Sequence, residues 1–134
     1  MTRKVSSGAP WEAVVGYSRA VAAGDHVWVT GCTSIVDGEV VHEGDMEAQT
    51  AQAIRNVESA LAQLGAALTD VVRTRLFVLD ISRWEEVGRA HGAAFGDVMP
   101  ATSLLQISAL IDPRMLVEVE AVAYKPGVGA EVSQ

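Results

Sequence analysis

The segment 115–124, near the end of the chain, constrains the fold more than any other feature of the sequence. Its residues alternate as in a β-strand, yet apolar side chains occupy both sets of alternating positions. Glu118 and Glu120 interrupt this pattern and share one face of the predicted strand with Leu116 and Val122. A sheet that contains such a strand must be covered on both of its faces.

The helical periodicity of the sequence predicts helices that cover only one face of this sheet. Asp45 is placed to N-cap an amphipathic helix that ends near Gly65, and a second helix opens with Ser82 and Glu85 spaced as a capping box. The apolar stripe of this second helix is predicted to contain Trp84, Val87, His91 and Phe95.

Strand and turn signals complete the order β-β-β-α-β-α-β-β. Gly24-Asp25 and Asp37-Gly38 mark two hairpins, the first between strands at 17–21 and 26–33. Further strands are predicted at 71–79, 102–110 and 115–124. The predicted fold class is α+β: a two-layer sandwich of one mixed sheet with two helices on one face. The helix-free face predicts a homo-oligomer, in which another copy covers it.

The length of 134 residues fits one domain, which we place at 11–125 between flexible segments at 1–10 and 126–134. No apolar run is long enough to span a membrane, so we expect no membrane partner and a cytoplasmic location. The net charge of −7 and the lack of a basic cluster argue against a nucleic-acid partner. The single cysteine, Cys32, is predicted to be a buried core residue.

Two interpretations of Glu118 and Glu120 fit the sequence. Either one or both form structural ion pairs, or one is a general acid or base whose pKa burial has raised. Arg73 and Arg75 share a face of the strand at 71–79, where they could pair with these glutamates or bind an anionic ligand.

The remaining polar candidates are less specific. His91 lies on an apolar helix stripe, where a hydrogen-bonded core histidine is the commoner case and a catalyst the alternative. His42, Glu43 and Asp45 match no defined metal-site spacing, and no phosphate-binding or dinucleotide-binding motif is present. We therefore expect neither a metal nor a cofactor.

Several segments together resemble the RidA (YjgF/YER057c) family, formerly called the endoribonuclease L-PSP family. The match extends over about residues 14–124 in short pieces whose order and spacing are fairly specific. These pieces are Val15-Gly16-Tyr17-Ser18, Val29-Thr30-Gly31, Gln49 with Asn56-Val57-Glu58, Asp70-Val71-Val72-Arg73-Thr74 with Phe77-Val78, Phe95 with Pro100-Ala101, and the segment 116–123.

The resemblance implies a chorismate-mutase-like fold, a homotrimer with clefts between subunits, and a small-molecule ligand. For function it implies hydrolysis of reactive enamines and imines. Glu118 stands at the position of the glutamate that positions or activates water, and Tyr17, Thr30 and Gly31 match other cleft positions.

Three positions depart from the family pattern. Thr102 follows Pro100-Ala101, where deaminating members have the arginine that binds the substrate carboxylate. Gly88 replaces a usual asparagine, and Leu104 replaces a usual cysteine. A threonine hydroxyl cannot replace the bidentate contact of a guanidinium, so the sequence resembles an arginine-lacking branch of the family.

Three functions remain open. The first is hydrolysis of an imine or enamine that lacks the usual carboxylate or presents it to Arg73 or Arg75. The second is a non-catalytic ligand-binding or regulatory trimer. The third is ribonuclease activity, against which the negative charge argues.

Overall fold

The computed structural model describes residues 2–130 as eight strands and three helices. The strands are β1 (Thr2–Val5), β2 (Ala20–Ala23), β3 (His26–Cys32), β4 (Ile35–Val36), β5 (Glu39–Val40), β6 (Val71–Val78), β7 (Ala101–Gln106) and β8 (Val117–Tyr124). The helices are α1 (Pro10–Val15), α2 (Met46–Ala62) and α3 (Trp84–Phe95).

One mixed sheet organises the fold. Its strand order is β1-β2-β3-β8-β6-β7, with β6 and β7 parallel and the other neighbours antiparallel. Helix α3 lies in the connection from β6 to β7, as a parallel pair requires. The predicted α+β class with a mixed sheet is confirmed, and β8 lies inside the sheet, between β3 and β6.

The core lies between the sheet and helices α2 and α3. Val117, Val119, Ala121 and Ala123 of β8 are at most 3% exposed and point toward the helices. Because side chains alternate along a strand, Glu118 and Glu120 point to the other face of the sheet. The alternating pattern of the sequence therefore fixes the direction of both carboxylates.

The helix-free face carries exposed apolar side chains. Trp28 of β3, Leu105 of β7 and Tyr124 of β8 are 47%, 44% and 46% exposed. None of the helices formed within the described chain is both long and apolar enough to cross a membrane.

Two local predictions are confirmed. Asp37 and Gly38 both have positive φ, 51° and 81°, in the turn between β4 and β5, as a two-residue hairpin turn requires. Asp45 N-caps α2, since its carboxylate accepts a hydrogen bond of 3.0 Å from the Ala48 amide.

The predicted capping box at Ser82 and Glu85 is wrong. Asp80, two residues earlier, accepts hydrogen bonds from both the amide and the hydroxyl of Ser82 and starts a 3-10 turn at Ile81–Arg83. Helix α3 then begins at Trp84, which is 55% exposed instead of joining the buried stripe. The Ser82 hydroxyl donates to Asp80 and is therefore not the cap of α3.

The described parts of the chain ends include backbone-paired and buried residues. Residues Thr2–Val5 form β1 along β2, and Arg3 donates hydrogen bonds to the Leu64 and Val128 carbonyls. Val128 is 5% exposed. Hydropathy does not reveal this backbone pairing and burial of polar segments. Met1 and residues 131–134, the rest of the segments expected to be flexible, lie outside the described residues.

Candidate functional site

A β-bulge in β3 creates the local geometry of the candidate site. Val29 pairs with Ala121 and Cys32 with Val119, so Thr30 and Gly31 together lie opposite the single residue Glu120. An extra residue of this kind bends a strand and redirects its side chains, and such bulges are common beside active sites.

Gly31 provides the space that Glu118 occupies. A Cβ built on Gly31 would overlap the Glu118 carboxylate and stand 2.7 Å from its Cγ. The φ of Gly31 is not positive, so glycine is required here by space and not by backbone conformation. The carboxylate of Glu118 is therefore packed directly on the bulge of the neighbouring strand.

Glu118 is half-buried, and none of the other residues in 2–130 forms a hydrogen bond or ion pair with its carboxylate. Burial raises its pKa, the negative charge of Glu120 raises it further, and the charge of Arg19 opposes both. A carboxyl group with these properties can accept and return a proton closer to neutral pH than an exposed glutamate.

The Glu118 cleft has a volume of about 840 Å³. Of the sequence-predicted residues, Tyr17, Gly31 and Glu118 line it, while Thr30 does not. Its apolar walls include Trp11, Val15, Leu110, Ile111 and Met115.

Sequence reasoning missed Arg19 and Glu12, which form an ion pair beside Glu118. Arg19 Nη2 lies 3.6 Å from Glu12 Oε2, and the two side chains are only 12% and 7% exposed. Arg19 Nη1 donates a 2.6 Å hydrogen bond to the Gly31 carbonyl, and its guanidinium carbon lies 5.7 Å from the centre of the Tyr17 ring. Arg19 and Glu118 therefore contact the same glycine.

Glu12 is charged despite its burial. Burial acts to raise its pKa, but hydrogen bonds from Ser7 and Ser6 and the charge of Arg19 outweigh it and hold the pKa below the usual value. The sequence contains only part of the information needed to predict the ion pair of Arg19 and Glu12. Arg19 follows Tyr17 at the alternate position, but the approach of Glu12 depends on the packing of α1.

The other predicted residues lie in two separate places. The first is a depression of about 220 Å³ on the helix-free face, lined by Thr30, Arg73, Arg75 and Glu120. Arg75 Nη2 lies 2.7 Å from Glu120 Oε1, but the angles of this contact are not those of a hydrogen bond, so it is an ion pair. Arg73 donates to the Ser103 hydroxyl at 3.4 Å.

The second place is a polar chain at the edge strand β7. The buried hydroxyl of Thr74 forms hydrogen bonds of 2.8 Å with His91 Nε2 and 2.7 Å with the Thr102 hydroxyl. Thr102 also donates to the Pro100 carbonyl at 3.1 Å, and burial lowers the pKa of His91. His91 is thus a hydrogen-bonded, half-buried residue of this chain of contacts.

Glu118 and Thr102 lie on opposite faces of the sheet. Glu118 pairs with Phe77 on the helix-free face, whereas Thr102 pairs with Thr74 on the face that meets the helices. Leu104, two residues after Thr102, packs against the helix-side core, and Gly88 lies in the neighbouring helix α3. A single chain therefore does not bring Glu118 and Thr102 into one cleft.

Comparison with known proteins identifies the family. Residues 7–125 match the family model described as endoribonuclease L-PSP. The chain belongs to the endoribonuclease L-PSP family. This result confirms the resemblance to RidA and YjgF/YER057c proteins that the sequence pattern indicated.

Solved and curated members of the family support the assignment. A crystal structure of Rv2704 from Mycobacterium tuberculosis, described as a member of the highly conserved YjgF/YER057c/UK114 family, superposes with a TM-score of 0.84 at 52% identity, covering 92% of this chain and 99% of that one. An uncharacterized protein of Streptomyces coelicolor is 42% identical over 94% of both chains. The 3-aminoacrylate deaminase RutC of Acinetobacter baylyi is 28% identical over 81% of this chain and 86% of its own. The relatives of this chain therefore include a protein named as a deaminase.

Proposed function

We propose that the protein is a deaminase that hydrolyses small enamines or imines, with Glu118 positioning the attacking water. The observation that carries this proposal is the half-buried carboxylate of Glu118, which faces a cleft without a hydrogen-bond partner among residues 2–130 and whose pKa is raised. A carboxylate in this state is free to bind water and to exchange protons with it.

The reaction requires one base that later acts as an acid. Glu118 would accept a proton from water as the oxygen adds to the imine carbon and the C=N double bond becomes a single bond. The same carboxyl group would then return this proton to the nitrogen, which gives a carbinolamine. It would next carry the proton of the new hydroxyl group to the amine, so that the C–N bond breaks, the carbonyl forms and ammonia leaves. No redox step is involved, and the products are one carbonyl compound and one ammonia for each water consumed.

We further propose a homotrimer whose clefts lie between subunits. Thr102 and Leu104 face away from Glu118 within one chain, so a neighbouring copy would have to supply them to a shared cleft. The exposed apolar side chains on the helix-free face, including Trp28 and Tyr124, are consistent with cover by other copies. A cytoplasmic location belongs to the same proposal.

A coupled assay tests the catalytic role. Imines and enamines, including 2-aminoacrylate, would be generated enzymatically, and ammonia release would be followed with and without the protein. We expect release above the uncatalysed background, and its loss in Glu118→Ala with the oligomer intact. Unchanged turnover in a folded Glu118→Ala variant would remove Glu118 from the mechanism.

A second candidate is a non-catalytic ligand-binding trimer. The observation that favours it is Thr102, whose hydroxyl is bonded to Thr74 and Pro100 where deaminating relatives are expected to have the carboxylate-binding arginine. Ammonia release no faster than background across several imines, together with saturable binding of a small ligand, would support this second function.

A further inference from the structure

The charged side chains that line the Glu118 cleft differ in how many of their hydrogen-bonding groups already have a partner. They are Arg19, Asp37, Asp112, Arg114 and Glu118. Arg114 holds both oxygens of Asp112, at 3.0 Å from Nε and 2.8 Å from Nη2. The bidentate donor face of the Arg114 guanidinium is therefore already occupied by the Asp112 carboxylate.

Arg19 has donor capacity left. Its Nη1 donates to the Gly31 carbonyl at 2.6 Å and, more weakly, to the Thr30 carbonyl at 3.4 Å and Cys32 Sγ at 3.8 Å, and its Nε donates weakly to the Ser7 hydroxyl at 3.4 Å. Nη2 makes no hydrogen bond to any residue within 2–130, because Glu12 stands 3.6 Å away and its oxygens are bonded to Ser6 and Ser7. A guanidinium carries five N–H donors, so Arg19 can still receive an acceptor.

The guanidinium of Arg19 is also held in place. It lies close to the Gly31 carbonyl, the Tyr17 ring and Glu12, and its side chain is only 12% exposed. A side chain fixed in this way loses little rotamer freedom when a ligand binds. Its position on Gly31 places it beside the Glu118 carboxylate, which packs on the same residue.

The other cations are placed less favourably for a ligand at Glu118. Arg73 and Arg75 line the separate depression on the helix-free face, where Arg75 is paired with Glu120. Position 102 provides only a hydroxyl, which is already committed to Thr74 and Pro100.

We propose that Arg19 binds the anionic group of the ligand in the Glu118 cleft, and so determines specificity for small carboxylates. This inference rests on the proposed function in assuming that the cleft binds the ligand, but not on turnover. The reacting carbon of such a ligand would lie toward Glu118 while its carboxylate accepts hydrogen bonds from Arg19. The anion-binding role is thus assigned to Arg19 instead of to position 102.

The test compares two probes of the same shape, propanoate and its uncharged amide propanamide. Each is titrated into the full-length protein and followed by two-dimensional NMR. We expect Arg19→Gln to weaken propanoate binding about tenfold or more and to leave propanamide binding unchanged. The propanoate affinity of Arg19→Lys should lie between those of the wild type and Arg19→Gln, because an ammonium keeps the charge but not the bidentate donor geometry of a guanidinium.

Arg19→Gln leaves the buried Glu12 without its cation, so a second variant guards against misfolding. Glu12→Gln with Arg19→Gln removes both charges and should fold while still failing to bind propanoate. Arg55→Gln, at an exposed arginine of α2, is the matched control and should bind both probes as the wild type does. Equal propanoate affinity in the wild type and the double variant would overturn the proposal.

The result of this binding test can be distinguished from the result of the deaminase assay. Arg19-dependent propanoate binding without any ammonia release would sustain the anion site and contradict the deaminase. Hydrolysis that requires Glu118 and keeps the wild-type preference for carboxylate-bearing over uncharged imines in the double variant would sustain the deaminase and contradict the anion site.

Discussion

The carboxylate of Glu118 lies directly against the Cα of Gly31. A methyl group at position 31 would stand 2.7 Å from Glu118 Cγ, well inside van der Waals contact, and would overlap the carboxylate itself. Gly31→Ala should therefore displace Glu118 and lower ammonia release at least about tenfold, as misplacement of a catalytic group commonly does. Steady-state rates of the purified variant measure this.

A double-mutant cycle isolates the contact between these two residues. Gly31→Ala should destabilise the wild type by about 1–3 kcal/mol, the usual cost of overpacking, but much less in a Glu118→Ala background where the space is free. Gly92→Ala is the matched control, since a Cβ there meets nothing within 4 Å outside the helix and should be neutral or slightly stabilising. Equal losses from Gly31→Ala in both backgrounds would show that Glu118 is not the group it displaces.

The raised pKa of Glu118 predicts a specific pH dependence of stability. Burial is the main cause, with the charge of Glu120 adding to it and that of Arg19 opposing it. An acid with a raised pKa in the folded state favours folding at low pH, and this contribution is lost as the pH rises from about its ordinary value of 4.5 through the folded value. Glu118→Gln should therefore stabilise the protein at pH 7 relative to the wild type.

Urea unfolding of the two proteins at pH 4 and pH 7 measures this effect. The advantage of Glu118→Gln should be present at pH 7 and shrink at pH 4, where the wild-type carboxyl is itself protonated. Glu58→Gln, an exposed change on α2, provides the comparison for loss of a surface charge. A variant less stable than the wild type at pH 7 would contradict the environment described for Glu118.

Glu12 should show the opposite behaviour. Although burial opposes ionisation, the hydroxyls of Ser7 and Ser6 and the charge of Arg19 hold its pKa below the usual value. Its contribution to stability is therefore present above its ordinary pKa of 4.5 and is lost as the pH falls through the folded value. Glu12→Gln should lower the free energy of unfolding at pH 7 by about 1.5–3 kcal/mol. Acid titration of unfolding in the variant should be flatter than in the wild type, and parallel curves would refute the assignment.

The sequence predicted well those parts of the fold that depend on local chemistry. The positive φ values of Asp37 and Gly38 and the cap at Asp45 follow from residues next to one another in the chain. The start of α3 was missed because two candidate caps, Asp80 and Ser82, compete within three residues and the carboxylate takes both donors of Ser82. Strand β1 was missed because its partners are backbone groups of β2.

The candidate site also has features that the sequence predicts and features that it does not. Strand alternation alone predicts that Glu118 and Glu120 share a face, and the structure places them so. Alternation cannot predict the bulge at Gly31, which depends on the register of β3 against β8. Nor can it predict Arg19 beside Glu118, because their separation in sequence is large and only the bulge brings them to one glycine.

Position 102 offers a direct test of the missing arginine. Thr102→Arg would add a guanidinium where deaminating members are expected to carry one, on a strand edge where the present side chain is exposed. Bidentate binding of a carboxylate then adds charge-assisted hydrogen bonds worth about 1.5–3 kcal/mol each, so kcat/KM for carboxylate-bearing imines should rise about tenfold or more. The rate with uncharged imines should stay the same.

Thr102→Val separates the added charge from the lost hydroxyl. Valine has nearly the shape of threonine but cannot bond to Thr74 or Pro100, so it reproduces the disruption of the polar chain without supplying a cation. We expect Thr102→Val to show no gain with either class of imine. A gain in Thr102→Val equal to that in Thr102→Arg would trace the effect to the released Thr74 and His91. No gain in a folded Thr102→Arg variant that keeps the oligomeric state of the wild type would mean that position 102 does not limit activity, and that the carboxylate of the substrate is bound elsewhere in the cleft.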